Sequence, residues 1–290
     1  MGVRIRDDGV QLQGRLSLLP DVTQDTDLRT DAPRRAQLRY LPGIDGLRAV
    51  SVLAVLIYHH YLAELWGTSL SDRPPRWFPG GFMGVEVFFV ISGYLITSLL
   101  LAERRRSGTV SLKRFWLRRA RRLLPALFVL LAVVTLVSLL FYYDEAVEVL
   151  KGDVLAALTY TSNWWQIVAN RSYFNDTAFL KHLWSLAIEE QFYLLWPPVL
   201  MLGLRTVGRR RTLAFMVAGA ALSTILLAVS RGSNELADPS GAYYATWNRL
   251  SGLLLGSALA FVWAPYQIRG RTGRGARYVL DAAGMLGVYV

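Results

Sequence analysis

The chain has no cysteine. That excludes a disulfide framework, a thiolate zinc site and a cysteine nucleophile. Lysine is scarce: of 32 basic residues, all but Lys113, Lys151 and Lys181 are arginine. No Gly-x-Ser-x-Gly elbow occurs, so a serine triad is not indicated. The soluble acyltransferase pattern of His, four residues and Asp is also missing, because Glu64 stands where the Asp would be. No grouping of residues points to a metal. Internal self-similarity is absent too, although a transporter ordinarily carries repeated halves or paired broken helices. What the chain does have is apolar surface. It is 53% hydrophobic against 18% charged, and its apolar residues come in runs of about twenty, the length that crosses a bilayer as a helix.

These runs fall at 44–66, 81–102, 123–143, 183–204, 212–230, 246–264 and 278–290. The expected fold is all-α, a polytopic transmembrane helical bundle with about seven segments in this chain. The last run ends at Val290 after 13 residues, too few to span, so the chain is expected to be a truncated piece of a longer protein. The stretch 154–168 is shorter, aromatic and partly polar, and reads as interfacial or re-entrant. Residues 1–40 are polar with no apolar core and are expected to form a disordered cytoplasmic tail; no secretory signal is present. Asp25-Thr26-Asp27 within that tail reads as chance, not as a sugar-nucleotide metal motif. Residues 41–290 then make up the membrane domain. Counted by connection, 25 of the 32 Lys and Arg fall on the side of the N-terminus and 7 on the other. The positive-inside rule makes the N-terminus cytoplasmic in a multi-pass membrane protein.

Ionisable residues inside such spans are costly and mark sites. Arg48 and His59 are separated by ten uncharged residues. Eleven helical steps amount to roughly 16–17 Å and about three turns, which places the two on one face, far apart along the axis. Glu86 lies near the outer end of the second segment, as an interface residue or as a partner for an imidazole. Arg118, Arg119 and Arg122 interleave with Phe115, Trp116 and Leu117 at the cytoplasmic end of the third. Their spacing of three and four presents guanidinium forks to one side, suited to a phosphate-bearing small molecule or to anionic headgroups. A cluster pinned to the membrane surface argues against nucleic acid. In the fourth segment His182, Ser185, Glu189 and Tyr193 share a face. Glu189 and Glu190 point about 100° apart, so at least one faces the bundle interior. Their expected partner is a cation such as His59 or Arg249. Gly80, Gly81, Gly84, Ser92-Gly93, Gly252 and Gly256 read as close-packing positions.

Four stretches then carry a resemblance: LPGIDGLRAVSVLAVLIYHH, GGFMGVEVFFVISGYLIT, FWLRRARRLLP and HLWSLAIEEQFYLLWP, with TWNRLSGLLLGSALA as a weaker fifth. In this order, over most of residues 40–264, the chain resembles the acyltransferase-3 family of bacterial membrane O-acyltransferases. The resemblance implies about ten helices in the complete protein and a place in the bacterial inner membrane. It also implies an Arg–His pair at Arg48 and His59, a cytoplasmic Arg-x-x-Arg at Arg119 and Arg122, and paired acids at Glu189 and Glu190. His60 stands where the family often has an aromatic, and Asn248-Arg249 where Thr-Arg is common.

The implied reaction moves an acyl group, acetyl by expectation, from cytoplasmic acyl-CoA to a hydroxyl of a cell-envelope glycan, a lipid or a secondary-metabolite sugar. Acyl-CoA is a donor substrate and no bound cofactor is expected; membrane lipids and a carbohydrate or lipid-linked acceptor are the other partners. Arg48, Arg118, Arg119 and Arg122 would hold the donor, with His182, Ser185 and Arg249 as further binding residues. His59 would act as base, with Glu189 or Glu190 as its orienter and Glu86 as a further catalytic candidate. The competing reading is a transporter or flippase that uses the same intramembrane Glu, Arg and His.

Overall fold

The computed structural model describes Gly2 and residues 42–58, 83–141, 146–173, 180–231 and 239–263. The expectations for the 1–40 tail, for His59 and His60, for Gly80 and Gly81, and for the 278–290 segment lie outside the described residues. All the helices belong to the unit Leu38–Val290. No strand occurs among the described residues.

In chain order the helices are α1 (Pro42–Tyr58), α2 (Gly84–Ser107), α3 (Leu112–Phe141), α4 (Ala146–Leu158), α5 (Ser162–Val168), α6 (Leu183–Thr206), α7 (Gly208–Arg231), α8 (Ser240–Tyr244) and α9 (Thr246–Val262). The expected apolar segments thus coincide with α1, α2, α3, α6, α7 and α9. Among the described residues, Gly84–Ser107, Leu112–Phe141 and Gly208–Ser230 are long and apolar enough to cross a membrane. The stretch expected not to span is two short helices, α4 of 13 residues and α5 of 7. They meet at a turn in which Tyr160 takes φ 53°.

Sequence explains the ends. α2 stops at Gly108, whose left-handed φ of 70° turns its N–H onto the Arg104 carbonyl at 2.8 Å. Arg104, Arg105 and Arg106 in the last turn suit the negative end of the helix dipole. α6 runs through Pro197 and Pro198 without a break and ends at Thr206.

The core lies where α2, α6 and α9 meet, around Phe89, Ile96, Leu100, Trp184, Ile188, Phe192, Leu200 and Leu253. Small residues set the spacing. A Cβ on Gly93 would strike the Leu253 carbonyl, and one on Gly256 the Val90 carbonyl. The two helices pass at backbone contact, as small residues permit in membrane bundles. Gly84 likewise lets α2 approach Ser51 of α1. α3 and α7 are the opposite case. Phe128, Val129, Phe141, Phe215 and Val229 all stand more than half exposed. An apolar face of that extent belongs against lipid.

Candidate functional site

A cavity of about 420 Å³ opens between α1, α2 and α6. Its α1 wall is Ser51, Val52, Val55 and Leu56, and its α2 wall is Gly84, Val85, Phe88 and Phe89. The α6 wall is His182, Ser185, Leu186 and Glu189. The lining is apolar except for these few groups, and Glu189 is its carboxylate. The spacing of His182, Ser185 and Glu189 does bring them to one wall.

Glu189 is 5% exposed, and its charge is provided for from within the bundle. Ser92 Oγ on α2 and Tyr193 Oη one turn along α6 both donate to Glu189 Oε1. Both hydroxyls meet the same carboxylate oxygen, and neither engages Oε2. Arg119 and Arg48 are close enough to act on the same charge. The Arg119 guanidinium lies 3.8 Å from the centre of the Tyr193 ring, a cation–π distance. Tyr193 is itself fixed by α3, because Trp116 Nε1 donates to its carbonyl at 3.3 Å. Arg48 sits 5.1 Å over the Phe88 ring, beside the cavity wall.

The basic cluster is not uniform. Arg118, expected to share the donor site, makes an ion pair with Glu103 at 3.3 Å and stands 53% exposed. Arg122 is exposed as well. Arg119 is the one turned inward, and no described residue accepts a hydrogen bond from it. Stacked on a ring, a guanidinium keeps its in-plane N–H groups for a phosphate.

One expectation about partners needs correction. Arg249 does not meet Glu189 or Glu190; it pairs with Glu86 at 2.6 Å. Both sit at the first turns of α2 and α9, which run in the same direction, so Gly93 seven residues on accepts from Ser257 Oγ at 3.3 Å. Arg249 is 5% exposed. It donates to the Tyr243 carbonyl at 3.0 Å and lies 3.7 Å over the Tyr243 ring. Tyr173, Tyr244 and Trp184 close the cluster around it. Burial pushes the Tyr173 and Tyr243 phenols above their ordinary range, as befits a dry aromatic cage. Glu190, the second expected acid, faces away from the cavity. Burial and then its charge raise the Tyr160 phenol, and its Oε1 has no hydrogen-bond partner among the described residues.

The profile of the Acyltransferase domain family matches residues 41–290. The chain belongs to the acyltransferase-3 family. It is 44% identical over 256 residues to a candidate O-acetyltransferase of Staphylococcus aureus (strain COL), covering 88% of this chain and 40% of that protein. It is 42% identical over 258 residues to the peptidoglycan O-acetyltransferase OatA of Listeria monocytogenes, with 88% of this chain and 39% of that protein covered. To the O-acetyltransferase OatA of Staphylococcus aureus (strain NCTC 8325 / PS 47) it is 42% identical over 254 residues, 87% and 40%. The chain spans about 40% of the length of the curated relatives it matches. No solved structure matches it.

Within this acyltransferase domain, sequence reasoning missed three contributors. Ser92 was legible only as a packing residue next to Gly93, yet its hydroxyl reaches Glu189. Ser51 was one more small residue on an apolar helix; it is 3% exposed and lines the cavity. The third is the polar seam beneath α5. There Asn163 Nδ2 donates to Thr246 Oγ1 at 3.0 Å and Gln191 Nε2 to Asn163 Oδ1 at 2.9 Å. A run of amides in an interfacial segment was the available signal.

Proposed function

We propose that the chain provides membrane-embedded O-acyl transfer from cytoplasmic acyl-CoA to a hydroxyl of a cell-envelope glycan. The observation that carries this reading is the cavity. Its α1 wall includes Val52, Val55 and Leu56, which are four, seven and eight residues on from Arg48 and therefore on the Arg48 face. His59 is expected on the Arg48 face by its sequence spacing of eleven residues. Glu189 is on the opposite wall. The relatives' names, O-acetyltransferase and peptidoglycan O-acetyltransferase, favour acetyl as the group and a cell-wall sugar as its acceptor.

In this mechanism Arg119, with Arg48 and Arg122, holds the phosphates of the donor, and the pantetheine arm rises along the apolar cavity. An acceptor hydroxyl oxygen attacks the thioester carbonyl. A C–O ester bond forms, the C–S bond breaks, and His59 takes the hydroxyl proton and returns it to the leaving thiolate. Glu189 lies toward the Arg48 end of the cavity, about 16–17 Å by helical spacing from position 59, and serves the donor end of the site beside Arg119 and Arg48. Release of CoA from acetyl-CoA by membranes that carry the full-length protein tests the reading. A transporter or flippase releases none.

Two narrower expectations follow from it. Arg119→Ala raises the acyl-CoA concentration for half-maximal rate by about tenfold, the value of a hydrogen bond to a charged group. Arg118→Ala has a smaller effect, because its guanidinium is engaged by Glu103. Were Arg119→Ala indistinguishable from wild type at limiting donor, the basic cluster would be a topology signal alone. The second concerns orientation. With no native cysteine, a single Cys at Ser107 is shielded from an impermeant thiol reagent in intact cells, and one at Ser172 reacts. The reverse pattern overturns the cytoplasmic donor side.

A further inference from the structure

We propose that Ser92 and Tyr193 position Glu189 for acyl transfer, and that Tyr193 links that carboxylate to the donor-binding guanidinium of Arg119. The proposal rests on Glu189 as the carboxylate of the transfer site. Its basis is a continuous buried contact chain: Arg119 over the Tyr193 ring at 3.8 Å, Tyr193 Oη donating to Glu189 Oε1, and Ser92 Oγ donating to the same oxygen from another helix.

Burial gives each link its weight. Ser92 is 2% exposed, Tyr193 3% and Glu189 5%. A carboxylate taken out of water without donors is costly, and these two hydroxyls are its hydrogen-bond partners among the described residues. Their geometry also fixes direction. One donor comes from α2 and the other from α6, so the carboxylate cannot rotate about its last bond without losing one of them. Oε2 is engaged by neither hydroxyl. Hydrogen bonds of this kind act through Glu189 and do not touch substrate, which makes Ser92 and Tyr193 positioning residues.

Tyr193 has a second function that Ser92 lacks. Its ring is the platform on which Arg119 stacks, and its backbone is tied to α3 through Trp116. The phenol and the ring can therefore be separated by mutation. Tyr193→Phe removes the donor to Glu189 and keeps the platform. Tyr193→Leu removes both. Ser92→Ala removes only the other donor.

The experiment measures kcat and KM for acyl-CoA per amount of folded protein, in the full chain, for Tyr193→Phe, Tyr193→Leu, Ser92→Ala and Glu189→Gln. Tyr193→Phe and Ser92→Ala are expected to lower kcat about tenfold each, the value of a hydrogen bond to a charged group, and to leave KM within about twofold. Tyr193→Leu is expected to lower kcat equally and also to raise KM about fivefold, since a desolvated cation–π contact is lost. A residue of purely structural importance would not divide kcat from KM in this way. Wild-type kcat in either Tyr193→Phe or Ser92→Ala overturns the positioning role. An unchanged KM in Tyr193→Leu overturns the link to Arg119. If Glu189→Gln is inactive while both hydroxyl variants turn over normally, this inference fails and the underlying mechanism stands. If Glu189→Gln turns over normally, the mechanism itself fails.

Discussion

Glu189→Gln is expected to cut acyl transfer by about a hundredfold or more, whereas Glu190→Gln keeps most of it. The size follows from burial: the change takes the partner charge from Arg119 and Arg48 and leaves the Ser92 and Tyr193 hydroxyls with a weaker acceptor. The asymmetry follows from the fold. Glu189 lines the cavity, accepts from Ser92 and Tyr193, and lies within reach of two guanidiniums. Glu190 is rotated about 100° around the helix, toward Tyr160 and the α4–α5 turn. Its replacement by Gln removes a like charge beside Glu189 and changes no hydrogen bond seen in the structure. Turnover by both variants, with acyl-CoA binding followed separately, decides the matter. If Glu190→Gln is the inactive one, the catalytic side of α6 has been misassigned. If both are normal, the acidic pair is structural.

How much of this was readable in advance depended on the range of the interaction. Periodicity acts within one helix, so the shared face of His182, Ser185, Glu189 and Tyr193 was legible from spacing, and the cavity confirms the first three as one wall. Span boundaries follow from length and apolarity, so α2, α3 and α7 were legible as well. Depth was legible in part: Glu86 and Arg249 both read as lying near the outer ends of their segments. Their pairing was not. It depends on α2 and α9 packing in the same direction, which Gly93, Gly252 and Gly256 allow but do not dictate. The acidic pair seemed to need the nearest buried cation, and two hydroxyls turned out to serve Glu189. A serine and a tyrosine are cheaper to bury than a charge, and neither stands out in a sequence rich in both.

The same distinction applies to Arg118, Arg119 and Arg122. Sequence placed all three on one helix at spacings that share a side. What separates them is their neighbours: Glu103 at the end of α2 for Arg118, the Tyr193 ring for Arg119, and open surface for Arg122. Exposure falls from Arg118 and Arg122 to the stacked guanidinium of Arg119.

His59→Ala is expected to abolish transfer, with a loss of about 10²–10⁴-fold, and His60→Ala to be mild. By sequence spacing His59 is eleven residues from Arg48 and is expected on the Arg48 face, with His60 about 100° away from it. That face forms a wall of the cavity across from Glu189. An imidazole is the side chain suited to take the acceptor's proton near neutral pH. Arg119→Ala distinguishes the two kinds of loss, because it acts on donor affinity and leaves the rate at saturating acyl-CoA largely intact. The three variants are compared over a range of acyl-CoA concentrations in membranes that carry the full-length protein. An inactive His60→Ala beside an active His59→Ala would place the chemistry on another face of α1, and the cavity would then be the wrong site.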